Sequence, residues 1–180
     1  SAGLVEGLAT AADPIWRTRL IWIGLAAIPS SLMLGVTTHI TTDVASAPFI
    51  WVVPLALYLL TFVIAFQDRP LISRDVALVV HAAALAACAV VLPFHTTNLV
   101  LLLAIHLAAF FFTALVCHQA LVARRPPPAR LTEFYLCLSI GGVLGGAFNA
   151  FLAPVIFTNV WEYPLVLALG VLARPWEMAT

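Results

Sequence analysis

The chain has 180 residues, of which 63% are hydrophobic and 9% charged, with a formal net charge of zero. A soluble domain carries about 45–50% apolar and about 25% charged residues. This chain lacks the residues for a charged surface and reads as an integral membrane protein, with no basic footprint for nucleic acid.

The chain begins with Ser1 and has no basic segment followed by a short apolar core, so no signal peptide is expected. Ser1 marks either a processed N-terminus or part of a longer chain. Residues 1–16, opening "SAGLVEGLATAAD", read as a weakly ordered or interfacial lead-in.

A helix needs about 20 apolar residues to cross the hydrocarbon core. Five segments approach that length: 20–36, 48–66, 76–92, 99–123 and 134–153. Pro54 is expected to kink the second. A sixth is cleanly apolar only over 164–173 and spans if it begins near Val155 or Val160. The expected domain is thus a six-helix bundle over 17–175, followed by a tail at 176–180.

The eight basic residues are all arginines. Arg17 and Arg19 precede the first helix, Arg69 and Arg74 follow the second, and Arg124, Arg125 and Arg130 follow the fourth. Arg174 follows the sixth. Six helices put all of them on one side, which the positive-inside rule makes cytoplasmic, with both termini inside. Trp16, Trp22 and Trp176 fall near the inner boundary and Trp51 and Trp161 near the outer one, as an aromatic belt. "RRPPPAR", 124–130, reads as a stiff, extended basic linker facing anionic lipid.

The outer connections are polar. "VTTHITTDVAS", 36–46, ends the first helix, and His95 and Glu162 lie in the other two outer connections. If the first helix continues through this stretch, His39 and Asp43 share a face and couple. Thr38 and Thr42 line the next strip. Three readings apply to the cluster Thr38, His39, Thr42, Asp43, His95 and Glu162: a hydrated helix end, contact with a small polar or cationic ligand, or a metal site. The spacing does not demand a metal, and none is assigned.

His81, His106 and His118 lie inside apolar segments and are candidate intramembrane ligands. The simpler reading is a hydrogen bond to a neighbouring helix; haem or chlorophyll ligation is the alternative. His106 and His118 stand about 120° apart and about 18 Å along one helix, so they cannot share a metal. No cofactor is expected. Cys88, Cys117 and Cys137 form no CxxC and read as small buried hydrophobes.

The fifth segment carries "SIGGVLGGAFNAFLAP", 139–154. Gly141, Gly145 and Asn149 recur every four residues, as do Gly142, Gly146 and Ala150. Such rows let a second backbone approach closely. Thr132 is expected to cap this helix, with Glu133 complementing its positive end.

Two stretches, "IPSSLMLGVTTHITTDVASAPFIWVVPLALYLLTFVIAF" (28–66) and "LTEFYLCLSIGGVLGGAFNAFLAPVIF" (131–157), resemble the membrane portion of a bacterial family in which a major-facilitator-type helical region is fused to a C-terminal spermidine-synthase-like domain. "DRPLISR", 68–74, stands where facilitator-type transporters often place an Asp-Arg-rich turn, although that motif's glycine is missing. The resemblance implies further flanking helices and an aminopropyltransferase-like domain. No glycine-rich cofactor loop or acidic polyamine site is found in these residues, so no catalytic residue is assigned and the chain is not expected to be an enzyme.

The expectation is therefore an all-α, polytopic protein of the bacterial inner membrane with about six transmembrane helices. One function is a transport-like or membrane-anchoring module that passes polyamines or other small cations or holds a synthase at the bilayer. The other is an accessory subunit of a larger membrane complex, for instance an energy-transducing one. Its partners would be lipid and other membrane subunits or flanking helices. A transport module should line a water-accessible cavity with His39, Asp43 and the second helix near Tyr58.

Overall fold

The structure, a computed structural model, describes residues 15–43, 51–69, 71–91 and 99–152. The proposed sixth helix, both termini, and the connections holding His95 and Glu162 lie outside the described residues. Within them the chain is helical, without strands: α1 (Ile15–Asp43), α2 (Val52–Phe66), α3 (Arg74–Val91), α4 (Leu99–Ala123) and α5 (Leu131–Ala147). A 3₁₀ turn, Pro128–Arg130, leads into α5, and a π turn, Phe148–Leu152, continues it. Three stretches, Ile15–Thr38, Val100–Ala123 and Pro128–Phe151, are long and apolar enough to cross a membrane, and α2 is a shorter apolar helix.

The helix from 99 to 123 matches its expected bounds, and three others differ for identifiable reasons. Helix α1 runs through the threonine-rich stretch instead of stopping at Val36. β-Branched residues are weak helix formers. Thr37, however, turns its hydroxyl back onto the Met33 carbonyl at 2.7 Å and so satisfies its polar group within the helix. The described part of α2 begins at Val52, which puts Pro54 in the first turn. An N–H there has no helical partner to lose, so Pro54 removes no hydrogen bond from α2. Helix α5 begins three residues early, at Leu131. Thr132 therefore lies inside it and does not cap it; the cap position is Arg130, which makes no side-chain capping bond. The linker before it is also not fully extended, since Pro128–Arg130 winds into the 3₁₀ turn.

Helix α4 is the central element. It packs against α1, α2 and α3, while α5 lies along α1. Its residues enter all three apolar clusters: Ala109 and Phe110 pack with Leu32 and Val36, Ala120 and Leu121 with Trp22 and Phe134, and Leu115 and Val116 with Ala65 and Ala77. Its buried apolar residues run from Ala109 to Leu121, whereas Val100 and Leu101 near its start are exposed. Helices α2 and α5 likewise leave Val52, Leu59, Val63, Leu136, Val143 and Leu144 exposed. These faces suit lipid, which is as apolar as leucine.

Contacts between helix ends set the bundle's polarity. Arg19 pairs with Glu133, joining the start of α1 to the start of α5. Trp22 donates from Nε1 to the Arg124 carbonyl at 3.2 Å, joining α1 to the end of α4. Gln119 donates to the Ile72 carbonyl at 2.9 Å, joining the end of α4 to the α2–α3 connection. Every described arginine, Arg17, Arg19, Arg69, Arg74, Arg124, Arg125 and Arg130, consequently lies at one end.

Candidate functional site

Two adjoining helices, α1 and α5, each carry an irregularity. Helix α1 carries Pro29 in its interior. Proline has no N–H, so the Leu25 carbonyl loses its helical donor. Helix α5 passes into the π turn that holds Asn149. Such turns are rare and frequently mark functional sites.

Polar side chains bridge this seam. Asn149 Nδ2 lies 2.6 Å from the Ser31 carbonyl and 2.7 Å from the Ser31 hydroxyl, both of which accept from it. Ser30 donates to the Gly142 carbonyl at 2.8 Å. Ser31, Gly141 and Gly145 are buried, while Ser30 and Asn149 are half-buried. The helices come this close because Gly141 and Gly145 lack side chains. A Cβ on Gly141 would collide with the Ile23 carbonyl, and one on Gly145 with the Ala27 backbone. The second expected row does not share this role. A Cβ on Gly142 would meet nothing within 4 Å, one on Gly146 would make ordinary contact with Leu34, and Ala150 is exposed.

The three intramembrane histidines are buried apart from the seam. His118, on α4, sits with Nδ1 3.1 Å from the Thr61 hydroxyl of α2, between the rings of Tyr58 and Phe62. His106 places Nδ1 3.8 Å from Cys88 Sγ, tying α4 to α3. His81 is buried on α3. The hydrogen bond to a neighbouring helix thus holds for His118. Among the described residues no group of three or more His, Cys, Asp or Glu is arranged to hold a metal. All three cysteines are buried and free.

Of the outer cluster, Thr38 is exposed on α1. His39, Thr42 and Asp43 fall within α1, so the helix carries His39 and Asp43 one turn apart. Their side chains, like His95 and Glu162, lie outside what is described. Tyr58, expected to line a cavity, faces the His118 ring at 5.4 Å.

The arginine end has its own lock. Glu133 pairs with Arg19 and, at 2.9 Å, with Arg130. The Arg130 guanidinium lies 5.7 Å from the Trp22 ring centroid, and Trp22 packs edge-on against Phe134. Trp22 is 1% exposed and so belongs to the core, not to the lipid-facing belt; Trp16, at 63%, is exposed as expected.

The sequence-level candidates did not include Ser30, Ser31, Pro29 or Thr61. The signal for the first three was the polar break "PSS" in the middle of an apolar run. Thr61 carried no signal, because a threonine inside a helix normally bonds to its own backbone. No protein-family model, curated protein or solved structure matches this chain.

Proposed function

We propose that this chain is a transport-like module of the bacterial inner membrane, with six spans and both termini in the cytoplasm. It is non-catalytic in itself and passes polyamines or other small cations. The observation that carries the reading is the seam between two irregular helices, α1 with an interior proline and α5 with a π turn, bridged by Asn149 and Ser31. Transporters place their binding sites where spanning helices are interrupted, because freed backbone carbonyls and small polar groups there can coordinate a solute. Irregular backbone is otherwise costly in a bilayer. The resemblance to the spermidine-synthase fusions supplies the solute class.

The test is uptake of radiolabelled spermidine by vesicles containing the purified chain. The expected result is flux above protein-free vesicles that Asn149→Leu abolishes while the variant still folds. The overturning result is no flux, with the native chain recovered from membranes in fixed stoichiometry with other subunits. That outcome would establish the accessory-subunit alternative.

A further inference from the structure

Thr61 decides which nitrogen of His118 carries the proton. The Thr61 hydroxyl donates to the Tyr58 carbonyl at 2.7 Å and lies 3.1 Å from His118 Nδ1. A hydroxyl has one proton and a carbonyl can only accept. With that proton given to Tyr58, Nδ1 must be the donor to Thr61. In the neutral ring Nε2 is then a bare lone pair. His118 is 1% exposed, and its Nε2 has no hydrogen-bond partner among the described residues.

The next residue repeats the pattern. Gln119 donates from Nε2 to the Ile72 carbonyl, which sets the amide's orientation. Its Oε1 is then a second buried acceptor with no partner among the described residues. Two consecutive residues therefore present acceptors that require a donor, and a buried acceptor left without one is destabilising.

The chemistry of the surroundings selects the donor. A buried cation needs a counter-charge. Helices α2 and α4 contain no carboxylate, and the only one on α3 is Asp75 in its first turn. Water is neutral, carries two donors and fits between polar groups of this kind. The end of the helix is also near. His118 is five residues from the end of α4, or about 8 Å along the helix. Ile72 belongs to the α2–α3 connection at that same end.

We propose that water enters the bundle at the arginine-bearing end, beside the α2–α3 connection, and donates to His118 Nε2 and Gln119 Oε1. His118 is thus the end of a short aqueous inlet, held in its acceptor tautomer by Thr61. The inlet is cytoplasmic only if the orientation under the proposed function is correct; the hydration itself does not depend on it.

The test uses the whole chain in lipid vesicles with ¹⁵N-labelled histidine, His118 being assigned by difference against His118→Gln. Solid-state NMR should find the Nδ1–H tautomer at His118 and magnetisation transfer from water to its ring. Gln119→Leu should weaken that transfer, and Thr61→Val should mix the tautomers. An Nε2–H tautomer, or no transfer from water, overturns the proposal. A second arm replaces Cys88, Cys117 and Cys137 with alanine and compares His118→Cys with Arg125→Cys, using an impermeant thiol reagent on each side. Modification of both from the same side supports the inlet. Modification of His118→Cys from the opposite side only, or from neither, overturns it. If both react only from outside the cytoplasm, the inlet stands and the proposed orientation fails.

Discussion

Asn149 makes two short contacts to one residue of a neighbouring helix. An interhelical hydrogen bond in a bilayer contributes on average about 0.6 kcal/mol and at most about 1.7. Asn149→Ala should therefore lower stability by about 1 kcal/mol in reversible unfolding from bicelles. Ser31→Ala should cost less, because the Ser31 carbonyl remains as an acceptor. Asn149 was legible in the sequence as a polar residue in an apolar helix. Its partner was not, because the two are 118 positions apart. Glu133 was legible as an acidic residue at a helix start, but its bonds to Arg19 and Arg130 were not. Since Arg19 and Arg130 are both more than a third exposed, salt screens the cluster. Glu133→Gln should therefore destabilise the chain at low ionic strength, with the difference from wild type shrinking as salt is added.

At the scale of elements, the glycine periodicity identified the contacting helix face but could not choose between two rows one residue apart. Only the partner's backbone makes that choice. Gly141→Ala or Gly145→Ala should each cost about 1–3 kcal/mol, because the obstructing atoms include backbone that cannot rotate away. Gly142→Ala should be neutral or mildly stabilising, since its Cβ meets open space and alanine favours a helix by about 0.5–1 kcal/mol. Denaturation of the single variants in one host lipid checks the contrast. If all the substitutions behave alike, the seam does not run along Gly141 and Gly145. The extension of α1 beyond Val36 has a similar origin. The apolar run ends at Val36, but the helix does not, because Thr37 satisfies its hydroxyl on the Met33 carbonyl within the helix.

At the scale of the molecule, the grouping of arginines was predicted from loop order alone, and contacts among helix ends gather the described ones at one end. The proposed orientation makes that end cytoplasmic. A fluorescent protein inserted after Pro126, in the α4–α5 connection, should then mature and fluoresce in cells. A periplasmic reporter at the same position should stay inactive. The reverse pair of results would invert the topology while leaving the bundle as described.

Composition and hydropathy by themselves determined the class of protein and where its long apolar helices run. Those properties depend on transfer from water to hydrocarbon, which each segment meets alone. They could not determine that α4 is central, that Trp22 is enclosed, that one glycine row and not the other meets α1, or that Asn149 bonds to Ser31. Within a bilayer every apolar face is equally satisfied by lipid. Partner choice therefore rests on close packing and a few interhelical hydrogen bonds, and these exist only once the helices are assembled.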